Sequence, residues 1–205
     1  MSAPPGRRSH KQRVAESSSR LMRAAVELIA ERGPSETTAT QIAERAGYSR
    51  EMVRVRFGSK QQLVETLVAL PLEDLLAADS VDGRSGWERL LGRLSELRRL
   101  HDEDPDLLFA FFAIGFDAAG GAADLRPHMK GWIERITEVL GAMVEAGVAD
   151  GSIRADVDAS RAARWIVRSV VGISYEWLLA RDRVDFSDEI VDVVEVLTRI
   201  LRSSS

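Results

Sequence analysis

The stretch TATQIAERAGYSREMVRVRF, from Thr38 to Phe57, decides how this chain folds. Thr38 with Gln41 three residues later reads as a capping box, in which side chains and backbone satisfy each other's free groups ahead of Ile42 and Ala43. Gly47 supplies a turn that admits a left-handed backbone, and Ser49 opens a second short helix. Two short helices cross steeply only where the contact residue is small, a need that Ala43 meets. Val53, on the inner side of the second helix, plugs the gap between them. The opposite side carries Arg50, Glu51, Arg54 and Val55, free to enter a groove. Arg50, Arg54 and Arg56 are all expected to face outward, because a guanidinium resists burial.

Upstream, Leu21, Ala25, Leu28 and Ile29 recur at helical spacing between Gln12 and Arg32, and Gly33-Pro34 stops that segment. Residues 1–11, with two prolines, a glycine and no apolar period, read as a disordered basic arm, where Arg7 and Arg8 are candidates for a minor groove. Downstream, Gly58 ends the third helix, and Ser59 with Gln62 starts a fourth that carries Leu63, Leu67 and Leu70 and is kinked at Pro71. Trp87 to Leu100 mark a fifth helix ending near Asp104, and Pro105 begins a sixth. A seventh spans Pro127–Glu145 and closes at Gly147. An eighth covers Asp158–Ala180 and a ninth Asp188–Leu201. No strand is legible. The expectation is an all-α chain of about nine helices: a helix-turn-helix domain over 12–58 and a helical bundle over 59–205.

Charge is divided along the chain. Residues 1–60 carry 12 Lys+Arg against 6 Asp+Glu, whereas residues 61–205 carry 16 against 26, so that +6 and −10 give the net −4. A cationic end on an anionic body suits a protein that meets phosphates at one end only. There is no cysteine, hence no disulfide frame and no thiolate metal site. No apolar run reaches the ~18 residues of a membrane span, and nothing near the start reads as a signal peptide. The expected compartment is the cytoplasm, with no membrane partner.

The sequence resembles the TetR family of bacterial regulators. The match rests on Gly33 closing the first helix, TxxxIAxxAG from Thr38 to Gly47, Ser49, and FGSKxxL from Phe57 to Leu63. The resemblance implies a DNA face made of Thr38, Thr40, Ser49, Arg50, Glu51, Met52, Arg54, Val55, Arg56 and Lys60. Within it, Arg50, Glu51, Met52 and Val55 fall where the family reads base edges. Thr38, Ser49, Arg54, Arg56 and Lys60 fall where it grips phosphates, and Lys60 adds its charge to the free amides of a helix N-terminus. Arginine stands at 54 and 56 where the family commonly has tyrosine and histidine, which opens bidentate reading of guanine as a second role for Arg54.

A regulator of this kind needs a body that senses something. Phe109, Phe112, Phe116, His128, Met129, Trp132, Ile136, Met143 and Trp177 are the candidates for the lining of an apolar effector pocket, with His128 as its polar anchor and plain core as the alternative for each. The eighth and ninth helices carry more apolar surface than one subunit covers, so Trp165, Ser169, Gly172, Ile173, Val194, Leu197 and Leu201 are expected to form a homodimer interface. The functional expectation is a dimeric repressor on a palindromic operator of double-stranded DNA, released by a small-molecule effector. Neither cofactor nor metal is expected. One alternative is a helical dimer that binds a protein partner. The other is a small all-α enzyme using His101-Asp102-Glu103-Asp104, against which stand the different directions of consecutive helical side chains and the absence of a His-Glu-x-x-His pair, a phosphate-binding glycine loop or a nucleophile elbow.

Overall fold

A computed structural model of the chain describes residues 9–77, 83–120 and 123–203. Among them lie α1 (His10–Arg32), α2 (Ala39–Arg45), α3 (Met52–Phe57), α4 (Lys60–Ala77), α5 (Gly86–Glu103), α6 (Pro105–Gly120), α7 (Arg126–Asp150), α8 (Ala159–Leu179) and α9 (Phe186–Leu201). The one pairing of extended backbone among these residues is an isolated bridge from Ile153 to Arg202. The architecture is all-α.

Helix boundaries depart from the sequence reading wherever a cap went unread. Ser9 and Gln12 form a capping box, with Gln12 N donating to Ser9 Oγ at 3.2 Å and Ser9 N to Gln12 Oε1 at 2.8 Å. Ser9 to Lys11 therefore open α1 instead of belonging to a disordered arm; Arg7 and Arg8 lie outside the described residues. Asp185 caps α9 through the amides of Ser187 and Asp188, so that helix starts at Phe186 and not at Asp188. α4 runs on through Pro71 to Ala77.

The seventh helix does not close at Gly147. It continues to Asp150 and ends on Gly151, whose φ of 81° is left-handed. Gly147 lies inside α7, where α5 crosses it at backbone contact: a Cβ on Gly86 would stand 2.0 Å from the amide nitrogen of Gly147 and 2.4 Å from the carbonyl oxygen of Met143. The start of α5 is anchored at the same place. Gly86 N donates to Asp150 Oδ2 at 2.7 Å and Trp87 N to Ser152 Oγ at 3.2 Å. The Asp150 carboxyl is held below its ordinary range, by its hydrogen bond with the Ser152 side chain most of all and then by the amides of Gly86 and Ser152.

The head packs Leu21, Ala25 and Ile29 of α1 against Ile42, Ala43 and Val53, and Leu63 of α4 closes the cluster. α4 touches α3 on one side and α5, α6 and α7 on the other, so it joins head to body. α6 packs against α1 in the head and against α5, α7 and α8 in the body.

Candidate nucleic-acid interface and ligand cavity

The turn between α2 and α3 is built by Gly47. Its φ is 77°, and the flanking amides close a Schellman motif: Gly47 N donates to Glu44 O at 3.0 Å and Tyr48 N to Ala43 O at 2.8 Å. Thr38 caps α2 reciprocally with Gln41, as read from the sequence. α3 proper starts at Met52, after a turn in which Met52 N donates to Ser49 O at 2.9 Å, three residues later than the position of Ser49 suggested.

This geometry turns Val53 inward and its neighbours outward. Val53 is 1% exposed, whereas Val55 is 60% exposed. The side chains of Arg50 and Arg54 are 77% and 72% exposed, each beside a carboxylate: Arg50 Nε lies 3.6 Å from Glu44, and Arg54 Nε donates to Glu51 at 2.7 Å. Exposed ion pairs of this sort contribute about 0–1 kcal/mol, so exchanging the carboxylate for a phosphate costs little. Thr38 and Ser49 are exposed, Thr40 is half-buried, and Met52 is half-buried against the core.

Two basic residues of the expected DNA face are occupied within the chain. Arg56 is half-buried and donates from Nε to Ser17 Oγ at 2.7 Å, bracing α3 on α1 instead of facing outward with Arg50 and Arg54. Ser17 is a buried polar residue of α1, and a buried hydroxyl at that distance along the chain is a partner that helix periodicity alone does not reveal. Lys60 donates from Nζ to Pro34 O at 2.7 Å. Burial lowers its pKa, and the charge of Asp117 opposes that shift.

Asp117 makes this junction informative. It stands on α6 and accepts from Ser35 Oγ at 2.9 and 3.1 Å, tying α6 to the loop between α1 and α2. A second tie joins Arg23 of α1 to Asp104, the residue between α5 and α6, at 3.0–3.1 Å. α1 and α2 are clasped in turn by Arg45, which pairs with Glu31 at 2.7 Å and with Glu27 at 3.4 Å.

On its other side α6 lines a cavity of about 50 Å³ between α5, α6, α7 and α8. Of the nine candidates for a pocket, Phe112, Trp132 and Ile136 line it. Phe111, which the sequence reading passed over, lines it too and packs edge-on against Trp132 with centroids 4.9 Å apart. Met129 and Met143 are core. Phe116 packs against Tyr175, and Phe109 against Trp177 and the guanidinium of Arg181. Trp177 does not line the cavity but belongs to an aromatic cluster with His101 and Phe186, and Phe186 in turn touches Phe112. His128 is exposed on the first turn of α7, so it does not anchor anything inside.

The polar members of the lining are different groups. Arg93 of α5 is 4% exposed, and Trp132 Nε1 is buried with no hydrogen-bond partner. The sequence does carry a signal for Arg93: it sits three residues after Leu90 and four before Leu97, on an apolar stripe where a charge has no reason to be unless it serves the interior.

Two of the residues expected at a dimer interface on α9 do not face outward. Leu197 and Leu201 are buried within their own subunit, and the exposed apolar side chains there are Val196 and Ile200. Periodicity cannot tell the two flanks of one apolar stripe apart. On α8, Trp165, Tyr175 and Leu179 are exposed, Gly172 has open space before it, Ser169 is exposed to half-buried along the same flank, and Ile173 and Val194 are half-buried against the core.

Fold and site together define a DNA-binding transcriptional regulator of helix-turn-helix type. Residues 21–67 match bacterial regulatory proteins, tetR family. The HTH-type transcriptional repressor KstR2 of Rhodococcus jostii (strain RHA1) is 28% identical over 165 residues, covering 77% of this chain and 77% of the relative. Among solved structures, SmeT in its complex with triclosan superposes with a TM-score of 0.78 at 19% identity, over 92% of this chain and 93% of that one. The TetR family protein CprB from S. coelicolor A3(2) gives 0.77 at 19% identity, over 93% and 91%. Residues 21–67 thus match the DNA-binding domain of the TetR family, and the chain as a whole shares the fold of solved TetR-family structures.

Proposed function

We propose that the protein is a repressor which holds a palindromic operator as a homodimer and lets go when a small, largely apolar molecule enters the cavity of its body. The observation that carries this reading is the split within and just before α3, where Val53 is locked inside while Arg50, Glu51, Arg54 and Val55 stand out together. A cationic helix face with an apolar tip suits a major groove, where guanidinium groups meet guanine edges or phosphates and a valine meets a thymine methyl. Arg54 is assigned to phosphate. Repression as the sign of regulation is supported by the repressor KstR2, and effector binding by the SmeT–triclosan complex.

Dimerisation is supported by the outward stripe of Trp165, Gly172, Tyr175, Leu179, Val196 and Ile200, an apolar surface that water covers poorly. Paired recognition helices about 34 Å apart match successive major grooves. Coupling is supported by the position of α6. A cavity of about 50 Å³ is too small for a ring, since a cavity of about 150 Å³ holds benzene. An effector must therefore displace lining residues such as Phe111 and Phe112 of α6, and α6 carries the ties to Ser35 and, at its start, to Arg23. Filling the cavity and gripping DNA then favour different arrangements of one helix, a population shift between two states.

A role as an enzyme is disfavoured by how His101-Asp102-Glu103-Asp104 is spent: His101 stacks in the aromatic cluster, Glu103 pairs with Arg99, and Asp104 pairs with Arg23. Work on DNA assigns the protein to the cytoplasm; among the described residues no helix is long and apolar enough to cross a membrane. The test is a gel-retardation assay on the DNA flanking the protein's own gene, combined with sedimentation. A palindrome bound by two chains is expected; binding by a monomer, or no retarded fragment, contradicts the reading.

A further inference from the structure

The outer face of α8 and α9 has a cationic end and an anionic end. On α8 an exposed stripe runs through Arg161, Trp165, Arg168, Gly172, Tyr175 and Leu179, alternate steps of four and three residues that stay on one flank of a helix. Its first half carries two arginines, and its second half is uncharged with Glu176 exposed beside it. On α9 the stripe runs through Glu189, Asp192, Val196 and Ile200, so there the acids come first. The two helices form an antiparallel hairpin. Arg183 N and Val184 N both donate to Ala180 O in the turn between them, at 2.9 and 3.0 Å, and the far end of α9 returns to the segment leading into α8, where Arg154 N donates to Leu201 O at 2.9 Å. Glu176, Glu189 and Asp192 therefore gather toward the turn, and Arg161 and Arg168 lie toward the opposite end. Among the described residues none of these five has an ion pair within its own subunit.

We infer that a second copy of this chain covers the stripe about a two-fold axis perpendicular to the two helices, so that the Arg161–Arg168 end of each hairpin lies on the acidic end of the other, around the partner subunit's Glu176 and the partner subunit's Asp192. The inference rests on the homodimer reading above and adds the orientation of the pair and the charges that select it. Two copies close on one another through a two-fold axis. An axis perpendicular to the helices reverses the hairpin end for end and sets cations on carboxylates. An axis along the helices leaves the ends level, and sets arginine on arginine at one end and carboxylate on carboxylate at the other. Like charges brought together at an interface are strongly disfavoured, so the pattern selects the first arrangement and rejects the second. Gly172, with open space before it, lies near the middle of the α8 stripe and lets two backbones approach where the copies cross.

The test is sedimentation equilibrium of the full-length protein and of two charge-reversed variants, Arg161→Glu with Arg168→Glu, and Glu176→Arg with Asp192→Arg. All four side chains are exposed, so the subunit fold should survive, which the melting temperature checks. Each variant alone is expected to dimerise at least about tenfold more weakly than the wild type, because both symmetric contacts become like-charged. Mixed in equal amounts, the two variants should regain an affinity within about threefold of the wild type, as a one-to-one heterodimer identified by native mass spectrometry. Should either variant fail to fold, the wild type gives an independent readout: its dimer should weaken at least about threefold between about 50 and about 500 mM sodium chloride, as screening predicts for opposite charges. Variants that dimerise as tightly as the wild type, a mixture no tighter than its components, or a wild-type dimer that salt leaves unchanged or tightens overturn this orientation while leaving the homodimer in place. A wild type that stays monomeric at micromolar concentration overturns the homodimer reading itself, and this inference with it.

Discussion

The head and the body of this protein encode their purpose differently. In the head the functional geometry is local: a cap at Thr38, a left-handed glycine at Gly47 and a valine plug at Val53 lie within sixteen residues, and together they determine which side chains of α3 face outward. In the body the cavity is assembled from α5, α6, α7 and α8, so no short stretch of sequence contains it. The difference teaches that a recognition helix can be read from spacing, whereas a cavity depends on where long helices cross.

The sharpest way to break that comparison is at the crossing of α5 and α7. Gly86→Ala places a methyl on the backbone of Gly147, where no rotamer change relieves it. It should cost about 3 kcal/mol, at the upper end of the usual overpacking range, read as a loss in denaturation midpoint. Gly131→Ala, with open space around it on the same α7, should be neutral or stabilise by up to about 1 kcal/mol. Equal effects from the two substitutions contradict the close approach.

A smaller effect is expected in the head. Gly47→Ala meets no atom within 4 Å, so only its φ of 77° is at issue. The left-handed conformation should cost about 1–2 kcal/mol. A destabilisation as large as that of Gly86→Ala contradicts the idea that the head depends on backbone conformation and the body on helix contact.

The smallest effect concerns the clasp between α1 and α2. The hydrogen bond from Arg45 lowers the Glu31 carboxyl from 4.5 to about 2. A carboxyl with a depressed folded-state pKa stabilises the protein fully above its unfolded value and loses that contribution as the pH falls toward the folded one. The melting temperature should therefore carry an acid-sensitive component between about pH 4.5 and pH 2. Glu31→Gln should lower stability slightly at neutral pH and shrink that component; an unchanged acid profile contradicts the clasp.

What the sequence discloses follows the same division. Helix count, the crossed pair and the outward set of Arg50, Arg54 and Val55 are available from caps and spacing. Arg56 and Lys60 escape such a reading because their partners, Ser17 and the Pro34 carbonyl, are remote in sequence or lie in the backbone. On α6 the apolar residues go nearly all round, so the spacing of Phe109, Phe112 and Phe116 cannot say that Leu108, Phe111 and Phe112 face the cavity. On α9 the exposed apolar side chains stand one residue beside the stripe that the pattern picks. Arg93 is visible as a charge on an apolar stripe, and its place beside the cavity emerges only where α5, α6, α7 and α8 meet.

The central claim is that the outer face of α3 meets DNA, and the most direct measurement is affinity for duplex DNA across a salt series, for wild type and Arg54→Ala, with the melting temperature checked for each. The account predicts a steep negative slope of log affinity on log salt. It also predicts that Arg54→Ala flattens the slope by about 0.9 for each phosphate no longer neutralised, close to 2 for a dimer, at unchanged thermal stability. A slope that is flat in the wild type, or identical in the two proteins, contradicts it.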